Sequence, residues 1–223
     1  MPTRSLDALH ADIACLNTHQ LKATLIANNG YHCQVWQRSA LVSVNSEIMI
    51  HDVVIKKPRD PIGRHDARIY HRDYRKLCDR LGDIVPEAAF IITTVDGEES
   101  VIIVAETVHR WFNIANPSNA ADAIPLLRRL EKARHQLARF LEAARDWHEQ
   151  EGKIIDLYGL DNLVLDRDRN IRYVDSFGVF LYEDLMHIVD NAYEDLSDKI
   201  ELSLQRFDYL NFVLREANIS CIG

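Results

Sequence analysis

The stretch that decides the fold runs from Ile154 to Gly178 and reads IIDLYGLDNLVLDRDRNIRYVDSFG. Two short β-prone pieces, LVL at 163–165 and IRYV at 171–174, stand on either side of the polar turn DRDRN at 166–170. Aspartate and asparagine favour turns because their side chains bond to nearby backbone groups. The pattern predicts a β-hairpin, with Asn162 immediately before it and Asp175 immediately after its second strand.

Polar residues at the two ends of this hairpin resemble those of a known family. Asp156, Asn162 and the DSFG sequence that starts at Asp175 resemble the catalytic and metal-binding loops of protein kinases and of small-molecule kinases with the same fold, in which H-x-D-L-x-x-x-N and D-F-G flank a hairpin. The resemblance implies that Asn162 and Asp175 hold Mg²⁺, which prefers hard oxygen ligands. It also implies that Asp156 orients the attacking hydroxyl or accepts its proton.

The stretch departs from the family pattern at three places. Ile154-Ile155 stands where the family has His-Arg, and Ser176 stands where D-F-G has phenylalanine. Asp156 lies six residues before Asn162, where the motif has a spacing of five. The loop therefore carries one extra residue, and Asp161 is an alternative to Asp156 as the catalytic carboxylate.

A second cluster lies upstream, in a β-prone run that ends in lysine. Val53-Val-Ile-Lys56 resembles the V-A-I-K strand of the same family, whose lysine binds phosphate oxygens and pairs with a carboxylate on the next helix. The resemblance makes Lys56 the phosphate ligand and Asp73 its partner, because DYRKL at 73–77 matches the family's Glu-x-x-x-Leu helix. Side chains alternate along a strand, so a shift of one residue in register would exchange Lys56 and Lys57.

A third match is VIIVAETV at 101–108, which resembles the strand that leads into the kinase hinge. The resemblance implies that the backbone groups of Glu106 and Val108 bind adenine, with the small Ala105 leaving room behind the base. The glycine-rich loop of the family should precede Lys56, but the only glycine there is Gly30. Since such a loop needs glycines for close approach of backbone N–H groups to phosphate, the first hairpin is degenerate or nucleotide binding is weak or absent.

Hydrophobic periodicity predicts the remaining elements. We expect one or two short helices within residues 1–28, two or three antiparallel strands between Tyr31 and Lys57, a helix over 67–81 that stops at Gly82, and a hairpin at Asp96-Gly97. Residues 122–151 predict one long helix, and residues 181–218 a return to helix. The expected fold class is α+β: a single protein-kinase-like bilobal domain with a small antiparallel β N-lobe (1–106, with an N-terminal helical extension) and a shortened helical C-lobe (107–223).

Composition and charge narrow the range of partners. The chain has 223 residues and a formal charge of −8 at pH 7, which argues against binding to nucleic acid or anionic lipid. Its cysteines lack metal-site or redox-dithiol spacing, and no segment approaches the roughly 20 apolar residues that span a bilayer. We therefore expect a cytoplasmic protein with reduced thiols and no transmembrane segment.

These observations favour an ATP-dependent phosphotransferase that uses Mg²⁺ and acts on a hydroxyl-bearing acceptor, with a sugar or lipopolysaccharide ranked before a protein. The short tail after Gly178, which lacks an Ala-Pro-Glu sequence, resembles the compact bacterial kinase-like proteins of the PhoP-regulated family and the lipopolysaccharide core kinases. One alternative is a pseudokinase, a nucleotide-binding regulatory module that acts through a protein partner. Another is a helical interaction protein that binds no nucleotide.

Overall fold

The structure is a computed structural model that describes residues 11–12, 23–27, 33–44, 47–95, 97–182 and 193–219. The protein is α+β, with predominantly antiparallel sheets and four α-helices among the described residues. Contacts divide the chain into two compact units, Met1–Arg72 with Pro86–Thr107 and Asp73–Val85 with Val108–Gly223. The chain therefore leaves the first unit for the last time after Thr107.

A six-stranded sheet forms the first unit. Its strand order is β1 (Ala11–Asp12), β5 (Ala88–Val95), β6 (Glu98–Glu106), β4 (Glu47–Pro58), β3 (Cys33–Val44) and β2 (Thr24–Ala27). Every pair is antiparallel except β1 with β5. The β3–β4 hairpin is long and regular, with Cys33 opposite Pro58 and Val44 opposite Glu47, so the strands predicted before Lys57 are present.

The hairpin predicted at Asp96-Gly97 joins β5 to β6. Val95 lies opposite Glu98, and Gly97 has a φ of +92°, which suits glycine in a tight hairpin turn; Asp96 itself lies outside the described residues. On one side of the sheet Ile55 and Ile102 form a buried apolar cluster with Trp36, Ile91 and Val104. Burial of these β-branched and aromatic side chains is the main stabilising contribution to this part of the sheet.

Helix α1 (Arg64–Leu81) connects β4 to β5 in sequence and begins three residues before its predicted start. Its residues up to Arg72 belong to the first unit and those from Asp73 onward to the second. The helix ends where Gly82 adopts a left-handed φ of +56°, as is common for glycine just after a helix. A short 3₁₀ turn, Gly82–Ile84, follows.

The second unit combines three helices with two small sheets. The helices are α2 (Ala120–Arg129), α3 (Glu131–Glu151) and α4 (Tyr193–Ile219); the strands are β7 (Arg110–Phe112), β8 (Lys153–Ile155), β9 (Leu163–Asp166), β10 (Ile171–Tyr173) and β11 (Phe180–Tyr182). They form a three-stranded sheet in the order β10-β9-β7 and a two-stranded sheet of β8 and β11. Helix α3 packs its aromatic side chains on both: Phe140 lies 5.8 Å from Tyr173, and Trp147 lies 5.1 Å from Phe180, measured between ring centroids.

The structure shows strands at two places in the N-terminal region that was predicted to be helical. Ala11–Asp12 and Thr24–Ala27 are strands, and the rest of the predicted helical region, apart from Ala23 and these strands, lies outside the described residues. Leu25 pairs with Trp36 of β3, so β2 is held by a neighbouring strand. Pairing at a sheet edge overrides the local helical spacing of the apolar residues.

The single long helix predicted over 122–151 is also wrong, because the chain forms two helices. Leu130 separates α2 from α3 with φ −107° and ψ 78°, a conformation outside the helical region. The guanidinium of Arg134 donates to the carbonyl oxygens of Leu127 and Arg128, at 3.4 and 3.2 Å. This side chain adds a donor at the end of α2, where the carbonyl of Leu127 also accepts the N–H of Leu130 at 3.2 Å.

The return to helix begins later than predicted. Leu181 and Tyr182 belong to β11 and pair with Ile154 and Lys153 of β8, whereas α4 begins at Tyr193; residues 183–192 lie outside the described residues. Within the part of the chain that the structure describes, no helix has both the length and the apolar character needed to cross a membrane.

Candidate functional site

Asp156 lies directly after β8, in a loop whose backbone is fixed by hydrogen bonds. Its N–H donates to the carbonyl of Val179 at 2.9 Å, which continues the β8–β11 pairing by one residue. Its carbonyl oxygen accepts from the Tyr173 hydroxyl at 2.9 Å and from Nδ2 of Asn162 at 3.1 Å. Its Oδ1 accepts the backbone N–H of Tyr158 at 2.7 Å. The position and direction of this carboxylate are therefore set by the fold.

The hairpin predicted from the sequence is formed by β9 and β10. Leu163 lies opposite Tyr173, and one residue further out the N–H of Val174 donates to the carbonyl of Asn162 at 2.7 Å. At the other end, Oδ1 of Asp166 accepts the N–H of Asn170 at 2.8 Å. The open end of the hairpin therefore holds Asn162 beside the residue that precedes Asp175.

The side chain of Asn162 has a defined orientation. Its Nδ2 donates to the carbonyl of Asp156, so its Oδ1 is the remaining acceptor of the amide. Its backbone N–H donates to the carbonyl of Gly159 at 3.1 Å. A Cβ atom at position 159 would lie 2.8 Å from Cγ of Asn162 and closer still to Oδ1. Gly159 is thus a site residue that sequence analysis missed, although a glycine in a loop of unusual length was the signal for it.

Asp175 lies in a tight turn at the end of the hairpin. Its Oδ1 accepts the backbone N–H groups of Ser176 and Phe177 at 2.8 and 3.2 Å. Phe177 is buried, and so is Ser176, whose hydroxyl has no hydrogen-bond partner among the described residues. The extra residue in DSFG therefore moves the buried phenylalanine one position along the chain and leaves the carboxylate at the hairpin.

Two carboxylates share this site, and their electrostatics are coupled. Burial, followed by the negative charge of Asp175, raises the pKa of Asp156 from 3.8 to about 6. The backbone N–H of Tyr158 and the positive charges of Lys199 and Arg206 act in the opposite direction. Burial and the same two carboxylates raise the pKa of Tyr173 well above 10. A bound cation would relieve this repulsion.

Helix α4 holds the Asp156 loop through three polar residues at helical spacing, Lys199, Ser203 and Arg206. Oγ of Ser203 accepts the N–H of Leu157 at 3.1 Å, and the guanidinium of Arg206 donates to the carbonyls of Leu157 and Tyr158. Nζ of Lys199 lies 5.8 Å from the centroid of the Tyr158 ring. Sequence analysis missed these residues, although their i, i+4, i+7 spacing places them on one helix face.

Asp161, the alternative catalytic carboxylate, occupies a different environment. Its side chain is 53% exposed and forms an ion pair with Arg110. Asp156, by contrast, is only 6% exposed. The two candidate carboxylates therefore differ in burial and in charge partner, and the choice of Asp156 over Asp161 as the catalytic carboxylate stays a prediction.

The predicted lysine and its partner belong to different units. Lys56 lies on β4 and is 8% exposed, whereas Lys57 is half-buried. Asp73 lies on α1, in the second unit, where its Oδ2 accepts the hydroxyl of Tyr182 at 2.6 Å. The pairing of Lys56 with Asp73 stays a prediction.

The predicted adenine-binding segment lies where the chain leaves the first unit. Glu106 ends β6, and its N–H donates to the carbonyl of Glu87 at 2.9 Å. Thr107 N–H donates to the carbonyl of Asp52 at 3.2 Å, and Val108 is the first residue of the second unit's main segment. The adenine-binding role of Glu106 and Val108 stays a prediction, and Gly30 lies outside the described residues.

The donors at the hairpin fit a cation that keeps most of its ligands outside the protein. Among the described residues there is no group of three or more His, Cys, Asp or Glu side chains that could hold a metal. Asn162 and Asp175 offer an amide oxygen and a carboxylate, and Mg²⁺ is usually held by one or two side chains together with water and substrate phosphates; their role as Mg²⁺ ligands stays a prediction. A cavity of about 410 Å³ lies elsewhere, on α4. None of the hairpin residues lines it; its lining consists of Asn211, Leu214, Arg215, Asn218 and Ile219.

Comparison with known proteins adds no relative to this description. No family model matches the chain, and no curated protein matches its sequence.

Proposed function

We propose that the chain is a kinase-like phosphotransferase that binds ATP with Mg²⁺ and transfers the γ-phosphoryl group to a hydroxyl of its acceptor. The observation that carries this proposal is the junction of Asp156, Asn162 and Asp175 at the open end of one hairpin. A fixed carboxylate beside an amide and a second carboxylate suits phosphoryl transfer, which depends mainly on positioning and charge stabilisation.

Each residue at the junction has a distinct proposed role. Asn162 and Asp175 would hold Mg²⁺, which would supply positive charge to offset that of the nucleotide phosphates. Asp156 would orient the acceptor hydroxyl and take its proton. A pKa of about 6 leaves most of this carboxylate ionised at neutral pH and makes it a stronger base than an exposed aspartate.

The order of elements along the chain supports the kinase-like interpretation. The strand with Lys56 precedes helix α1 with Asp73, the strand that ends at Glu106 follows, and the hairpin comes after the long helix α3. The division into two units is in keeping with a bilobal fold. Lys56 is the proposed phosphate ligand, Asp73 its proposed partner, and Glu106 with Val108 the proposed adenine-binding segment.

The alternative, a pseudokinase that binds nucleotide without turnover, also has specific support. Ile154 and Ile155 replace the family's His-Arg and are each 3% exposed, so two aliphatic residues pack where polar residues would support the catalytic loop. The chain also has only Gly30 before Lys56. A sugar or lipopolysaccharide acceptor remains the proposed substrate class for the active form, as in the compact bacterial proteins that the chain resembles.

Titration with Mg-ATP distinguishes these functions. Wild type, Asp175→Asn and the control Asp161→Asn would be compared by calorimetry and by ATP consumption, with and without EDTA. Asparagine at 175 keeps an oxygen for the Ser176 and Phe177 N–H groups but removes the charge. We expect the Asp161 variant to retain Mg-dependent ATP binding and ATP consumption. In the Asp175 variant both should fall at least about tenfold, because a charged ligand contributes over 1.4 kcal/mol to the free energy of binding.

The other outcomes are equally informative. Mg-dependent binding without ATP consumption, in the presence of candidate sugar acceptors, would indicate the pseudokinase. Absence of any binding would refute the nucleotide site and favour an interaction protein.

A further inference from the structure

Ser176 carries a buried hydroxyl to which the proposed roles assign no task. The residue is only 4% exposed, and its Oγ has no hydrogen-bond partner among the described residues. A buried hydroxyl without a partner is costly, and in folded proteins such a group is usually satisfied by ordered water or explained by a bound ion. The surroundings of Ser176 therefore indicate what its hydroxyl binds.

The hydroxyl lies beside the carboxylate of Asp175. The backbone N–H of Ser176 donates to Oδ1 of Asp175 at 2.8 Å, and covalent geometry keeps a serine Oγ within about 4 Å of its own backbone nitrogen. The N–H of Phe177 donates to the same carboxylate oxygen at 3.2 Å, which fixes the turn on both sides of Ser176. One turn therefore holds both the hydroxyl and a proposed cation ligand.

A hydroxyl at this place suits the water shell of a cation. Mg²⁺ that is held by one or two side chains keeps several water ligands. Such a water donates its hydrogen bonds outward and needs acceptors, and a serine oxygen has two acceptor lone pairs. The D-F-G pattern has phenylalanine after the aspartate, so the hydroxyl of Ser176 is a feature of this chain that the family resemblance does not explain.

We propose that Oγ of Ser176 accepts a hydrogen bond from a water ligand of the cation that Asn162 and Asp175 hold. This inference rests on the cation site of the proposed function and adds a third protein group to that site. Ser176 is a positioning residue, because it acts on the cation through a water molecule and not on the reacting atoms. Residues that orient the ligands of a metal contribute to its affinity although they do not touch it.

The test measures binding of Mn²⁺, which takes the same carboxylate, carbonyl and water ligands as Mg²⁺ and whose free form is counted by electron paramagnetic resonance. Wild type, Ser176→Ala and the conservative variant Ser176→Thr would be titrated without nucleotide and with saturating ADP. Thr93→Val is the matched control. Thr93 lies on β5 in the first unit and is 1% exposed, and its hydroxyl likewise has no hydrogen-bond partner within the described part of the chain.

We expect Ser176→Ala to weaken Mn²⁺ binding at least about tenfold, as for loss of other residues that orient metal ligands. Ser176→Thr should recover part of the loss, and Thr93→Val should bind Mn²⁺ as wild type does. In urea unfolding without a cation, Ser176→Ala should be at least as stable as wild type, because the substitution removes a buried group that has no protein partner. A serine with a merely structural role would give lower stability and unchanged Mn²⁺ affinity.

Two results would overturn the inference alone: an unchanged Mn²⁺ affinity in Ser176→Ala while wild type binds Mn²⁺ and Asp175→Asn does not, or equal weakening in Ser176→Ala and Thr93→Val. Failure of wild type to bind Mn²⁺ both without and with ADP would refute the cation site of the proposed function, and the role of Ser176 with it.

Discussion

Replacement of Asp156 by asparagine should stabilise the protein at neutral and alkaline pH. The unfolded chain ionises this side chain near pH 3.8, whereas the folded chain does so near pH 6. Each tenfold change in proton affinity corresponds to about 1.4 kcal/mol, so the ionised carboxylate destabilises the fold by about 3 kcal/mol above pH 6. Asparagine carries no charge and keeps an Oδ1 acceptor for the Tyr158 N–H.

The sign and the pH range follow from the raised pKa. Below pH 3.8 both states are protonated, and Asp156 has no ionisation cost. Between pH 3.8 and 6 the folded state holds a proton that the unfolded state has lost, so the wild type loses stability as pH rises. The excess stability of Asp156→Asn should therefore be about 1.5 kcal/mol at pH 5 and about 3 kcal/mol at pH 8.

Urea unfolding at pH 5 and pH 8, followed by circular dichroism, measures this difference. Asp161→Asn is the control: its carboxylate is exposed and paired with Arg110, so we expect a loss below about 1 kcal/mol. An Asp156→Asn variant no more stable than wild type at pH 8, or an excess that is the same at both pH values, would refute the argument that burial beside Asp175 destabilises the ionised form.

Two further substitutions test how the loop is built. Gly159→Ala should displace the Asn162 side chain and weaken Mg-dependent ATP binding at least about tenfold, equivalent to 1.4 kcal/mol. The control is Gly63→Ala, which should bind ATP as wild type does, because an added Cβ there meets nothing within 4 Å. Equal affinities of the two variants for ATP would contradict the close packing at position 159. Ser203→Ala should leave the buried Leu157 N–H without its acceptor and lower the free energy of unfolding by about 1–3 kcal/mol, and a loss below about 0.5 kcal/mol would show that water replaces the hydroxyl.

The parts of the site that sequence analysis found are local in the chain. Asn162 and Asp175 flank one hairpin, and the turn residues between Asp166 and Asn170 carry a local signal for that hairpin. The same holds for the end of α1, where Gly82 stops the helix. In each case the residues that form the element also carry its signal.

The parts that were missed depend on contacts between distant segments. Ser203 meets Leu157 across 46 residues, and polar residues on one face of a helix do not reveal which loop that face will meet. The break at Leu130 is stabilised by the side chain of Arg134, which a propensity argument treats as a good helix former. Tertiary packing decides both features, so periodicity alone could not predict them.

The loop that carries Asp156 combines an unfavourable charge arrangement with a rigid support. Asp156 is buried near a second carboxylate, and this arrangement destabilises the protein. Hydrogen bonds from Tyr173, Asn162 and Tyr158 nevertheless hold the side chain and backbone of Asp156 beside the hairpin. A core built for stability alone would favour an apolar residue at this position. The cost is understandable if a bound cation neutralises the carboxylate charges, because the loop then needs no rearrangement to receive it.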